Sequence, residues 1–180
     1  MDYYYLTASL PPLSMGESAP ISSDDFFIAA ESLLSSEDRS DLARIVSGNM
    51  EDCQTPFMRE WVGRERQLRN ALVMERVGGQ VGEAEQYLRE QLDYDARIER
   101  AVNEAMAETN PIEREGILDR ARWNILDDMA SEKPFGPGQV FAFALKLQIV
   151  ERWNKISEVE GRERLDTLVG QNVEQGKAEL

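Results

Sequence analysis

The residues in this chain that could do chemistry are carboxylates, arginines and one thiol, because there is no histidine. Without an imidazole, catalytic triads, most zinc sites and the Glu-x-x-His di-metal bundles are excluded. Catalysis would then fall to acids alone. Glu104 and Glu108 stand one helical turn apart, and Asp127 and Asp128 follow about one helix later. On facing helices these four could hold Mg²⁺, the chemistry of an all-α nucleotide pyrophosphohydrolase. With 34 acids in 180 residues, however, such spacings arise by chance, and solvated helix faces account for them as well. Glu113 and Glu115 are no more specific.

The other groups offer binding more than turnover. Arg59, Arg64, Arg66, Arg69 and Arg76 could form an anion site, but Glu60, Glu65 and Glu75 interleave with them and the local net charge is +2. Ion pairs along a helix surface explain that pattern more simply. Gly78-Gly79-x-x-Gly82 lacks the lysine and the preceding strand of a phosphate loop. Cys53, beside Asp52, has no base to activate it and no second cysteine to pair with, which fits an ordinary thiol in a reducing compartment. No cofactor or metal is expected, and no enzymatic activity.

The net charge of −14 argues against nucleic acid and against direct adhesion to anionic lipid. The excess is uneven: residues 1–60 carry 11 acids and 3 bases, net −8, whereas residues 61–180 carry net −6. Solvation alone can explain an acidic stretch; the sharper reading is that Asp24, Asp25, Asp38 and Asp41 face a basic partner. Tyr4, Arg64, Arg69 and Arg122 join them as candidate contacts, since tyrosine and arginine are over-represented among interface anchors.

Such groups need helices to position them. Pro137–Ile156 is apolar on nearly every side from Val140 to Val150, interrupted by Lys146, and so reads as the buried spine of a helical bundle; it is too short and too interrupted to span a membrane. Ahead of it, Ser22 or Ser23 caps a helix over Asp24–Leu34, and Ser35 or Ser36 starts another that Gly48-Asn49 closes. Tracts 57–77 and 81–107 read as two arms of a protruding antiparallel hairpin joined at the glycines. A third tract starts near Pro111 with a stripe of Leu118, Ala121, Ile125 and Met129. After the spine, Arg162–Val173 reads as a last short helix. The aromatic start Tyr3–Leu10 is β-permissive, and alternation there would bury either Tyr3 and Tyr5 or Tyr4 alone. The expected whole is one all-α domain over 1–180, with Phe141, Leu145, Ile149, Trp153, Leu118, Ile125 and Trp123 in its core. The N-terminus has neither a basic region nor a long apolar core, so no secretion signal is expected and the protein reads as cytoplasmic.

Four phrases occur in order: YYYLTASLPPLSMGE, REWVGRERQLRNAL, NPIEREGILDRARWNILDDM and VFAFALKLQIVERW. Together they resemble an uncharacterised bacterial family encoded among V-type (A-type) ATPase subunits, itself similar to a shortened form of the subunit called C in prokaryotes and d in eukaryotes. The resemblance to the bacterial family covers essentially the whole sequence. The typical C/d subunit is about twice as long and built of three helical bundles, so this sequence matches only part of it. The spine continuation Lys146–Arg152 also departs from the more charged pattern of that subunit. The resemblance implies a non-catalytic part of the central stalk or an accessory to it, cytoplasmic and held at the membrane through a complex. It would couple the axle to the membrane rotor ring by protein–protein contacts. An unrelated all-α adaptor or assembly factor is the alternative.

Overall fold

The computed structural model describes residues 3–78, 86–90 and 94–156, and every regular element within them is a helix. The protein is therefore all-α. The expected tract 81–85, Leu92 and the last helix Arg162–Val173 lie outside the described residues.

Local chemistry starts most of the helices where the sequence says it should, although the one expected to reach Leu34 ends at Glu31. Helix α1 is Tyr4–Ala8, and α2, Ser23–Glu31, begins at Ser22, whose hydroxyl accepts the Asp25 N–H at 3.1 Å. Ser35 does the same for α3, Ser36–Ser47, and Gly48 ends that helix at φ 79°, a left-handed conformation glycine adopts without a Cβ penalty. A 3₁₀ turn at Met50–Asp52 leads into α4, Pro56–Arg76, with its proline in the first turn where the missing N–H costs nothing. Helix α5 is Ala96–Ala107, α6 is Pro111–Ser131, and α7 covers residues 137–156.

Helix α7 is the spine. Val140 to Leu145 are all buried, as are Leu147, Ile149 and Val150. Lys146 fits into this apolar helix because its ammonium lies over the Trp123 ring, 4.8 Å from the centroid, and is bonded to Asp127. Of the expected core, Phe141, Leu145, Ile149, Leu118 and Ile125 are buried. Trp123 and Trp153 are half-buried, each with its ring serving a polar neighbour.

Residue pairs fix the helix directions. Helix α6 runs antiparallel to α7, since Gln139 donates to the Ala130 carbonyl at one end while Trp153 lies over Gly116 at the other. It is also antiparallel to α5, because Arg97 pairs with Asp128 and Arg114 reaches the Ala105 carbonyl. Helix α4 lies along α7 in the same direction, with Phe57 against Gly138 and Phe141 near both starts. Helices α2 and α3 cover the other flank through the Phe26–Phe143 ring contact at 4.7 Å and a bond from Gln148 to the Ile45 carbonyl at 2.7 Å.

Two expectations change in detail. The backbone does double back beyond Gly78, but the described part of the return, 86–90 and 94–95, is not helical. It is held instead by side-chain amides of α4. Asn70 exchanges bonds with Arg89 N–H and carbonyl, and buried Gln67 does so with Asp95, all at 2.7–2.9 Å. The Asp95 carboxylate then accepts the Arg97 N–H and starts α5, so the helical arm begins at Ala96 and packs between α4 and α6. Both α4 and α5 oppose α6, so these two run the same way, and the antiparallel helix pair is α5 with α6.

The aromatic start also differs. It forms the single-turn helix α1, and burial follows helical spacing: Tyr3 and Leu6 are inside, whereas Tyr4 is 50% and Tyr5 87% exposed. Tyr3 N–H donates to the Phe135 carbonyl, and its hydroxyl links Asp38 and the Ser35 N–H across the core.

Candidate functional site

Asp119, on α6, is a wholly buried and heavily bonded carboxylate. It accepts from Arg122 one turn on at 2.8 Å, from the Trp153 indole N–H at 2.8 Å, and from Arg152. Arg122 in turn donates to Glu65 of α4 at 2.7 Å. Burial by itself would lower the pKa of Arg122, but Glu65 and Asp119 outweigh it and raise the pKa above the ordinary arginine value. Three helices are thereby tied at one polar node.

Beside that node lies a cleft of about 330 Å³ between α4 and α7. Arg69, Arg122 and Arg152 line it together with Glu65, Gln148 and Trp61, and Met50, Leu145 and Ile149 supply apolar wall. Arg69 and Arg152 are exposed, whereas Arg122 is largely covered. Arg69 makes no salt bridge among the described residues and acts only at longer range on Glu51. Trp61 is 4% exposed, and its indole N–H is buried without an acceptor among the described residues. An unmet buried donor costs about 1–3 kcal/mol, so it calls for an explanation.

Of the residues expected to meet a partner, Arg69 and Arg122 therefore converge here, joined by Arg152. Arg64 does not; it pairs with Glu60 on its own helix at 3.2 Å. Asp24 and Asp25 are exposed in the first turn of α2, where the Asp25 carboxylate also accepts a hydrogen bond from the Ser22 hydroxyl at 2.7 Å. Tyr4 stands in an exposed aromatic cluster, 5.6 Å from the Tyr5 ring and 4.8 Å from Phe135. Phe135 holds φ 63°, an uncommon conformation for a bulky side chain.

Asp38 and Asp41 are a correction. Both are buried and used by the fold. Asp38 accepts from Tyr3 at 2.5 Å and Ser35 at 2.6 Å. The Asp41 carboxylate receives the N–H groups of Gln54 and Thr55 and the Arg44 guanidinium, all at 2.7–3.1 Å, and so closes the loop before α4. An acidic composition gave no sign that two of its acids were needed indoors.

Asp41 yields a pH signature. Burial pushes its carboxyl up, but the bonds from Thr55, Gln54 and Arg44 outweigh burial and hold it below the usual carboxylate value. A pKa depressed on folding stabilises the protein above the unfolded value, about 3.9, and that contribution is lost as pH falls through the folded value. Asp41→Asn is expected to cost about 2 kcal/mol at pH 7, the scale of hydrogen bonds to a charged acceptor. The gap from wild type should shrink below about pH 4. Urea midpoints at pH 7, 4 and 3 check this, and a gap independent of pH would contradict it.

The four acids considered for Mg²⁺ do not assemble. Asp127 is bonded to Lys146 and Asp128 to Arg97, Glu104 is exposed on α5, and no metal-holding group of three or more His, Cys, Asp or Glu occurs among the described residues. Cys53 is buried, and burial together with the Asp41 charge pushes its thiol up to about 12, so the reactive thiolate is scarce near neutral pH. Asp119 and Gln67 went unmarked in the sequence. The one local sign was the three-residue spacing of Asp119 and Arg122, common to many surface pairs.

Fold and site define a class: an all-helical protein, described over residues 3–78, 86–90 and 94–156, whose helices are cross-tied by buried polar nodes, with an arginine-lined cleft beside one of them. Residues 84–176 match the model of a family described as protein of unknown function (DUF2764), and the chain belongs to that family. The matched segment includes Asp119, Arg122 and Arg152, whereas Trp61, Glu65 and Arg69 precede it. No curated protein and no solved structure matches the sequence. No helix among the described residues is long and apolar enough to cross a membrane.

Proposed function

We propose that this protein is a non-catalytic central-stalk or accessory subunit of a V-type (A-type) ATPase, similar to its C/d subunit. It would couple the axle to the membrane rotor ring from the cytoplasmic side. The naming of the machine rests on the four ordered sequence phrases. The observation that carries the mechanical part is the tying of α4, α6 and α7 through Asp119, Arg122 and Glu65. A part that transmits torque needs helices that do not slide past one another, and a buried, directional polar node resists sliding in a way an apolar seam does not. It also needs contact surfaces. Asp24 and Asp25 offer exposed negative charge, and Tyr4, Tyr5 and Phe135 offer exposed rings.

The test is affinity capture from detergent-solubilised membranes of the native host, with the captured proteins identified by mass spectrometry. Axle and ring subunits are expected together in the eluate. Their loss or weakening at low salt in an Asp24→Lys, Asp25→Lys double variant would locate one contact on α2. Recovery of soluble proteins alone would favour an adaptor or assembly factor outside the ATPase.

A further inference from the structure

We infer that the cleft lined by Arg69, Arg122 and Arg152 is a docking site for one carboxylate borne next to an apolar side chain on a protein partner. The inference stands on the cleft alone and holds whichever machine the protein serves.

Charge is the first ground. Three guanidiniums face two carboxylates, Glu65 and Asp119, which leaves a surplus of one positive charge in a protein of net −14. The two carboxylates are committed to Arg122 and Arg152, while Arg69 stands without a salt bridge among the described residues. Arg152 gives one nitrogen to Asp119, and its side chain remains 48% exposed. These two arginines are the arms open to a ligand, and Asp119 and Arg122 are positioning residues behind them. Arginine suits the task because its planar fork matches a carboxylate.

The wall is the second ground. Met50, Leu145 and Ile149 give the cleft an apolar side, so the charge the site receives should arrive attached to a hydrophobic group. Trp61 stands in the same wall, its indole N–H buried without an acceptor among the described residues, so its signal reports a ligand that presses on that wall. A polyphosphate fits poorly. It carries several negative charges against a surplus of one and would enter against the field of an acidic protein. A chain terminus carries its carboxylate and an aliphatic side chain on one residue, so the occupant is the C-terminus of a partner polypeptide that ends in an aliphatic residue.

The experiment uses the full-length protein labelled with ¹⁵N and follows the arginine Nε–H signals and the indole signals of its three tryptophans. The probes are N-acetyl-leucine, N-acetyl-leucinamide, N-acetyl-glutamic acid α-amide and inorganic phosphate. N-acetyl-leucine should shift the Arg69, Arg152 and Trp61 signals saturably, with a Kd in the millimolar range expected of so small a ligand, about 1–10 mM. The uncharged amide should bind at least about tenfold more weakly, as should Arg69→Gln and Arg152→Gln variants. Arg69→Gln should melt as wild type does, which separates loss of binding from loss of fold. N-acetyl-leucine should bind more tightly than the glutamic acid probe, and the reverse order would overturn the assignment to a chain terminus. Absence of any saturable shift, equal binding of the leucinamide, or tighter binding of phosphate would each overturn it. Failure to capture ATPase subunits would leave these titrations unchanged, so the two readings fail separately.

Discussion

Asp119→Asn should lower the unfolding free energy by about 3 kcal/mol, at the lower edge of the 3–5 kcal/mol seen when one partner of a buried ion pair is removed. The carboxylate is wholly buried and accepts from three side chains. The amide keeps the shape and one acceptor oxygen, but removes the charge facing two guanidiniums and points N–H groups at other donors. The three donors do not suffer equally. Arg152 is half exposed and can turn to water, so its share is small. Arg122 and the Trp153 indole have less freedom, and Arg122 retains only Glu65. Equilibrium urea denaturation measures the loss, with Arg152→Gln as the comparison at under about 1 kcal/mol. If the two variants cost the same, Asp119 is not the tie that holds α4, α6 and α7 in register.

Truncating Phe141 to alanine is the larger loss, about 3–5 kcal/mol from lost transfer energy plus the cavity left behind. The side chain is fully buried on α7 and its ring lies 6.0 Å from that of Phe57. Phe57 itself presses on Gly138, where an added Cβ would meet its ring at 2.8 Å, so the neighbourhood is already close-packed. Close packing limits collapse into the vacated space and keeps the cost near the top of the range. Tyr5→Ala, at an 87% exposed position, should change stability by less than about 0.5 kcal/mol. Thermal and urea unfolding of the two variants side by side tests the contrast. Unchanged m-values would show that the same cooperative unit unfolds in each.

The sequence by itself determined the elements wherever the cause is local. Ser22 and Ser35 cap helices because their hydroxyls reach an N–H three residues on, and Gly48 stops one because it accepts φ 79°. Pro56 and Pro111 open helices for want of an N–H, and the run from Val140 to Val150 is a buried helix because no face of it is polar enough for water. Where the cause is distant, the sequence was silent. Helical spacing could not reveal that Asn70 would bond the backbone of Arg89 and Gln67 that of Asp95, so α5 starts at Ala96. Nor could charge counting separate Asp24, which faces water, from Asp41, which accepts two backbone N–H groups, because those donors belong to a loop more than ten residues away. The cleft is the clearest case. Arg69, Arg122 and Arg152 lie on three helices and share no spacing; only the packing of α4 and α6 against α7 brings their charges to one place. A hydroxyl's reach is written in the neighbouring residues, whereas which charges meet depends on every helix packed between them.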